Sequence, residues 1–479
     1  MSDLFSTLHT SANALQVYQQ ALEVVSNNVT NASTPGYARQ NLSLEAMPFQ
    51  PNAGLPGGVT AGEVQSARDQ FAEQSVRQQF SNLGTLEQQS QSLSQIENNF
   101  NVTSDSGIPG ALNTFFSNIS SWSVTPTDVA ARQAVLNSAQ QAAQSFQQAT
   151  SNAGQAASSV AQQMQQTVDQ INRLAGQLRG FNQQRVLGDR NDSGLDAQIN
   201  STLEQLSEYG DITALTQADG SVTVLLSGQT PLVVGDHQYD ISVSFSTPAG
   251  APATVAGGTP PARIIDAQGN DVTGHISQGQ LAGQLDIYNN VLPSLIGNAY
   301  QQGDLNLLAQ TVADRVNQIL QSGNISDGPP AVPGVALFAY NAATPTGVAQ
   351  SLAVSSTITP AQLAAIDPGP PEVANGIALR LANLANPTAP ADEINGKSYA
   401  AFYGSIAAGI GSQSSNAQNN LTTQQQVVAQ ARNLRSQVSG VSLDEEAANL
   451  IEFQRAYQAT AKVVTVVDQL TQSTINILP

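Results

Sequence analysis

At roughly 100–200 residues per domain, a chain of 479 residues has room for two to four domains with real cores. Its 35 acidic residues against 16 lysines plus arginines give a formal net charge of −19, which argues against unaided nucleic-acid binding and against docking on an anionic membrane surface. There is no cysteine, so disulfides, thiol nucleophiles and thiolate metal sites are excluded together, and three histidines (His9, His237, His275) leave little material for a histidine metal centre.

Only 11% of residues are charged, so the surface must be covered largely by Gln, Asn, Ser and Thr. No apolar run approaches the length of a membrane span, and Met1-Ser2-Asp3-Leu4 lacks the basic region of a cleaved signal peptide. Neither membrane insertion nor a cleavable signal is expected.

Both ends read as long helices. Leu4, Leu8, Leu15, Leu22 and Val29, with Tyr18 and Val25 interleaved, repeat every seven residues divided three and four, the spacing of a coiled-coil seam. After this helix Asn31 can leave by an Asx-type turn, Pro35-Gly36 suits the central positions of a type II turn, and Tyr37 supplies an anchor before an extended stretch with Leu42 and Leu44. Leu83, Leu86, Leu93, Ile96 and Phe100 form the next helical stripe, and Leu112, Phe115, Phe116, Ile119 and Trp122 a second, aromatic one. Thr125 and Pro126 resemble an N-cap and first helical residue opening a very long helix through Met164, Ile171, Leu178 and Phe181.

From about residue 210 to 275 the period changes from helical to alternating. Asp219-Gly220 between Ile212–Ala218 and Val222, Val224, Leu226 predicts a tight hairpin. Tyr239, Ile241, Val243 and Phe245 alternate likewise, and Arg263-Ile264-Ile265 before Gly269-Asn270 predicts another strand and turn. Leu285, Tyr288 and Leu292 then precede Pro293, which should kink or restart a helix that continues through Leu308, Val312, Val316 and Ile319. Residues 323–395 are rich in Pro, Ala and Gly and predict irregular connections with short helices.

The last helix is well marked. Ser442 with Glu445 forms a capping box, and Asp444 and Glu446 place negative charge at the positive end of the helix dipole. Leu450, Phe453, Tyr457, Val464, Val467 and Leu478 make its apolar stripe, with Thr460, Thr471 and Thr474 between them. The fold class is therefore mainly α with an inserted β domain (α+β). The expected parts are a terminal coiled-coil assembly domain (1–36 and 440–479), an elongated helical-bundle middle domain (37–208 and 280–439) and a small outer β domain (209–279).

Motifs that carry chemistry fail on inspection. Residues 189–194 resemble the start of an EF-hand loop, but its twelfth position is Asn200, not the bidentate Glu such a loop requires. Gly396-Lys397 has Ala391 where the first glycine of a phosphate loop belongs, and no His-Glu-x-x-His helix exists. Trp122 among its aromatic neighbours reads as a core anchor, and His9 as a solvent-facing helix residue. No catalytic, cofactor or metal site is expected. What the pattern does support is assembly. The terminal helices carry mediocre helix formers and few ion pairs, so one apolar stripe each is little to set against the entropy of ordering them. They should become stable only where neighbouring copies cover them, as in folding coupled to binding. An ordinary intramolecular antiparallel hairpin is the alternative.

The run Ser26-Asn27-Asn28-Val29-Thr30-Asn31-Ala32-Ser33-Thr34-Pro35-Gly36-Tyr37-Ala38-Arg39-Gln40 resembles the N-terminal motif of bacterial flagellar axial proteins, the rod, hook and hook-associated family. The segments Ser439–Leu450 and Glu452–Ala459 resemble that family's C-terminal helix. Phe115-Phe116, Asp128–Leu136, Asp219–Val222, Pro231–Gly235 and Gly279–Leu285 resemble its hook–filament junction members.

The resemblance implies a secreted, extracellular, non-enzymatic component of the flagellum that leaves the cell unfolded through the flagellar export channel. It implies self-association in a tubular layer between flagellar hook protein and the next junction protein, hook-associated protein 3, with a flagellar export chaperone on the C-terminal helix before secretion. Leu4, Leu8, Leu15, Leu22, Val29, Leu450, Phe453, Tyr457, Val464 and Val467 are the expected assembly residues, and Asn31, Pro35, Gly36 and Tyr37 the turn motif. Another axial role, as hook protein or hook-associated protein 3, and a secreted enzyme riding on an axial scaffold are the alternatives.

Overall fold

The computed structural model describes residues 2–50, 55–98, 100, 106–188, 192–248 and 250–477. Leu478 and the first three residues of the EF-hand-like run, 189–191, lie outside them. Helices dominate: α1 (Ser2–Asn31), α2 (Gln70–Glu97), α3 (Gly107–Val124), α4 (Val129–Leu187), α5 (Ser193–Tyr209) and α6 (Gln280–Asp286). They continue with α7 (Leu292–Ile296), α8 (Asp304–Gln321), α9 (Val348–Ser351), α10 (Gly376–Asn383), α11 (Tyr399–Ser439) and α12 (Leu443–Ile477). The strands form small antiparallel sheets. The chain divides into two units, and the divisions at 82/83, 170/171 and 423/424 fall inside α2, α4 and α11.

The first unit joins residues 1–82, 171–239 and 424–479. Here α1 lies between α12 and a long hairpin of β1 (Gln40–Ala46) and β4 (Val59–Ser66), which is extended by the short pair β2 (Phe49–Gln50) and β3 (Leu55–Pro56). A four-stranded sheet follows in the order β5 (Ile212–Thr216), β6 (Val222–Leu226), β7 (Thr230–Val234), β8 (His237–Gln238). The Asp219-Gly220 turn is as the sequence predicts: Gly220 has φ +87° and Asp219 Oδ1 accepts the Ser221 amide at 2.9 Å. Buried Asn182 of α4 fixes the sheet, donating to the carbonyls of Val222 (2.9 Å) and Gly235 (2.8 Å) and accepting from the Val222 amide (2.8 Å).

The second unit joins residues 83–170 and 240–423 around one apolar core. The aromatic stripe of α3 is at its centre: Trp122 is fully buried, Phe115 meets Phe338 edge-on at 5.7 Å and Phe116 stacks on Tyr399 at 6.1 Å. The Trp122 indole N–H is satisfied by the Pro126 carbonyl at 3.2 Å, as a buried tryptophan requires. Gly283 of α6 admits no side chain, because a Cβ would stand 2.8 Å from the Thr85 carbonyl oxygen of α2. Among the described residues three short pairs complete this unit's β structure: β9 (Ser242–Ser244) with β10 (Arg263–Ile265), β11 (Asn324–Ser326) with β12 (Val332–Pro333), and β13 (Phe338–Ala339) with β14 (Ala353–Val354), besides isolated bridges.

Several expectations are corrected. The segment 209–279 is not one β domain: β5–β8 cluster with the first unit and β9–β10 with the second. The alternation from Tyr239 to Phe245 yields only three paired residues, since Ile241 is buried outside the strand. Thr125 caps the end of α3, not the start of α4; Asp128 opens α4, its carboxylate accepting the Ala130 amide at 2.8 Å. Pro293 stands in the first turn of α7, directly after a π turn of the five residues Ile287–Val291, but the helix does not continue into α8: it ends at Ile296, Gly297 takes φ +83°, and α8 begins at Asp304. The capping box at Ser442 is half formed: Ser442 Oγ accepts the Glu445 amide at 3.4 Å, while the Glu445 carboxylate pairs with Arg39 instead.

Candidate functional site

The terminal helix pair and the turn beneath it form the region that the seam residues define. The end of α1 and the start of α12 are held side by side, Arg39 pairing with Glu445 and, through Nε at 3.1 Å, with Glu446, whose side chain is buried. The two helices are thus antiparallel. Of the seven-residue seam only Val25 is buried on α1; the rest of the buried stripe is Val17, Ala21 and Asn28, with Ser11 beyond them. This stripe faces the gap between α12 and the β1–β4 hairpin, whose Gly58 passes so close that a Cβ there would be 2.6 Å from Thr10.

The expected assembly residues are mostly left half covered. Leu4, Leu8, Leu15 and Leu22 on α1, and Leu450, Phe453 and Val464 on α12, are intermediate; Val29 is 42% and Tyr457 37% exposed. Val467, at 7%, is the one member of the set that is buried. A second row of α12, with Ile451, Val463, Val466 and Leu470, is open to solvent, and Phe5 of α1 joins it in exposure. This second row lies outside the expected assembly set, although the three-and-four spacing of Val463, Val466 and Leu470 marks it in the sequence.

The turn motif folds as its residue types dictate. The Tyr37 amide donates to the Thr34 carbonyl at 3.1 Å with Pro35 and Gly36 between them and Gly36 at φ +75°, a type II turn. Asn31 does not make the expected Asx-type turn: its Oδ1 accepts from the Thr34 hydroxyl at 3.1 Å and its amide donates back to the Asn27 carbonyl at 3.0 Å. Gly36 lies directly on α5, where a Cβ would meet the Ala197 carbonyl oxygen at 2.3 Å.

The residue that organises the turn stands outside the expected turn motif. Asn28 is buried, donates to the Gln40 carbonyl (2.8 Å) and accepts from the Gln40 amide (2.9 Å) and the Tyr37 hydroxyl (2.9 Å). Burial raises the Tyr37 phenol, the Ser193 hydrogen bond lowers it and Glu446 raises it; the net upward shift keeps the hydroxyl a donor. Replacing Asn28 with Ala strands a buried N–H and a half-buried O–H at about 1–3 kcal/mol each, so about 3 kcal/mol should be lost in denaturant unfolding of this unit.

Below the turn the chain concentrates its scarce charge. Arg68, itself buried, pairs with Glu73 and Asp196 and donates to the Gly36 carbonyl at 2.6 Å. Arg435 reaches Glu73 (3.2 Å) and Glu204 (2.6 Å), and Arg432 reaches Glu204 (2.8 Å) while its guanidinium lies 4.3 Å over the Phe80 ring. Ser439, at the end of α11, accepts the Arg39 amide on its carbonyl (2.9 Å) and the Asp69 amide on its hydroxyl (3.0 Å). The spacing of Glu73 with Arg77 and of Arg432 with Arg435 was the available signal for this network.

Burial alone would raise the Glu204 carboxyl, but hydrogen bonds and charge from Arg432 and Arg435 hold it below its ordinary value. Its folded value is depressed, so its contribution is present above the unfolded value and is lost as pH falls through the folded one. Between about pH 5 and about pH 3 the wild-type chain should therefore lose more stability than Glu204→Gln, which starts weaker and varies less; coincident slopes in acid denaturation would contradict this.

Among the described residues no group of three His, Cys, Asp or Glu side chains could hold a metal, and no helix is long and apolar enough to cross a membrane. What the site offers is a partly covered apolar surface on a fixed polar base.

That architecture, with matching models at both ends, defines a flagellar axial protein. Residues 8–37 match the flagella basal body rod protein model, and residues 418–477 match the flagellar basal body rod FlgEFG protein C-terminal model. Between them, residues 93–338, just over half the chain, match the flagellar hook-associated protein FlgK helical domain, and the chain belongs to this family. It is similar to flagellar hook-associated protein 1 of Bacillus subtilis, 27% identical over 99% of both chains, and to that of Escherichia coli, 23% identical over 98% of this chain and 100% of the other. Its fold is similar to the flagellar hook junction protein FlgK from Burkholderia pseudomallei, with a TM-score of 0.65 at 16% identity, covering 76% of this chain and 100% of that one.

Proposed function

We propose that this chain is a structural component of the bacterial flagellum that forms the first layer of the hook–filament junction. It assembles on the hook tip as a tubular layer of identical subunits and templates hook-associated protein 3, on which the filament then grows. The observation that carries this reading is the half-covered state of Leu8, Leu15, Leu22, Leu450, Phe453 and Val464, an apolar surface one chain does not bury.

In the layer α1 and α12 pair as a coiled coil whose remaining faces are covered by neighbouring subunits and by flagellar hook protein. The assembly domain is 1–36 with 440–479. Before export a flagellar chaperone covers the C-terminal helix, since exposed Ile451, Val463, Val466 and Leu470 would otherwise associate indiscriminately. The chain then acts outside the cell and carries out no reaction. Antibody labelling of isolated hooks tests the reading. Label confined to the distal hook end, and hooks without filaments when the protein is missing, is the expected result. Label along the hook shaft or filament would assign another axial role.

A further inference from the structure

Inside the first unit is a cavity of about 110 Å³ walled by Arg68, Arg77, Arg185 and Asp196, with Gly220 and Val222 of the β5–β6 hairpin on one side. Its charges do not balance. Arg68 is fully engaged by Glu73, Asp196 and the Gly36 carbonyl, and the free valences of Glu73 and Glu204 are taken by Arg435 and Arg432. Asp196, already accepting from Arg68 Nε at 2.9 Å and Nη2 at 2.7 Å, is the sole carboxylate on the cavity wall among the described residues.

Arg185 is only loosely paired. Its nearest carboxylate oxygen, Asp196 Oδ1, is 3.7 Å from Nη2, and its buried Nε and Nη2 have no hydrogen-bond partner. Arg77 is equally buried, at 8%, beside the same cavity. Four largely covered guanidiniums (Arg68, Arg77, Arg185, Arg435) thus meet three carboxylates (Glu73, Asp196, Glu204), with half-exposed Arg432 sharing Glu204, in a chain whose net charge is −19. An unpaired buried charge is strongly destabilising, and a guanidinium fork matches the oxygens of a tetrahedral anion.

We infer that this cavity binds a small tetrahedral oxyanion of the phosphate or sulfate class between Arg185 and Arg77. The bound anion ties the end of α4 to the start of α2, to α5 and to the β5–β6 hairpin, whose Gly220 rests on the Arg185 stem: a Cβ there would be 3.1 Å from Arg185 Cδ. It supplies the charge the fold leaves out.

Equilibrium dialysis of the full chain against labelled inorganic phosphate, at ionic strength held constant with chloride, tests this. Saturable binding of about one phosphate per chain is expected, weakened at least about tenfold in Arg185→Met, equivalent to 1.4 kcal/mol, and less in Arg185→Lys, which keeps the charge but not the fork. If Arg185→Met does not fold, Arg185→Lys alone decides. Absence of saturable binding to the wild-type chain, or unchanged affinity in a folded Arg185 variant, overturns the inference.

Discussion

Replacing Leu450 and Tyr457 together with Asp should abolish incorporation at the hook tip and leave the second unit folded. Leu450 is half covered and Tyr457 37% exposed, so in the free chain both new carboxylates can reach water at a local cost confined to the terminal helix pair. In an assembled layer they would be covered by neighbouring apolar surface, and each unpaired buried charge costs several kcal/mol. Two such charges correspond to a loss of roughly a thousandfold or more in the association constant of each subunit contact. The unfolding of the second unit, whose core is built on Trp122, Phe115 and Tyr399, serves as internal control and should be unchanged. Counting labelled hook ends measures the effect; normal labelling by the double variant would remove the proposed role of α12.

The second large effect is expected at Gly36. Its φ of +75° already disfavours a side chain, and a Cβ would stand 2.3 Å from the Ala197 carbonyl oxygen and 2.8 Å from the Ser201 amide nitrogen. Neither obstacle is a flexible side chain, so Gly36→Val must push α5 off the turn and loosen the Arg68 contact with the Gly36 carbonyl. Left-handed strain costs about 1–2 kcal/mol, and with the backbone clash the loss should reach about 4 kcal/mol. At about 2–4 °C per kcal/mol this lowers the midpoint of the first unit by about 10 °C in a thermal scan. A change within about 0.5 kcal/mol would mean that α5 does not hold the turn in solution.

Local chemistry was legible wherever one residue type satisfies a backbone demand. The Pro35-Gly36 turn, the Asp219-Gly220 hairpin and the apolar period of α3 and α8 follow from the sequence because φ and burial leave few alternatives. Long-range pairing was less legible. The seven-residue seam of α1 includes the buried Val25 but not Val17 and Ala21, which pack inward beside the β1–β4 hairpin, a cover that lies in a polar stretch of the sequence. The single β domain expected at 209–279 was a reading of continuous alternation; hydrogen bonds from Asn182 of α4 to the Val222 carbonyl and from Gln238 to the Asn172 carbonyl of α4 tie the first four strands to the first unit. The arginine network went unread because a charge in a sequence looks the same solvated or buried.

The central claim is that the two ends of the chain do not complete their own burial. Hydrogen exchange of the free monomer, resolved along α1 and α12 and compared with α3 and α8, measures this directly. Protection should be highest near Asn28 and Glu446 and fall toward the outer ends of both helices, far below that around Trp122, and rise once the chain is assembled on hooks. Protection of both terminal helices in the dilute monomer equal to that of the α3 core would contradict it.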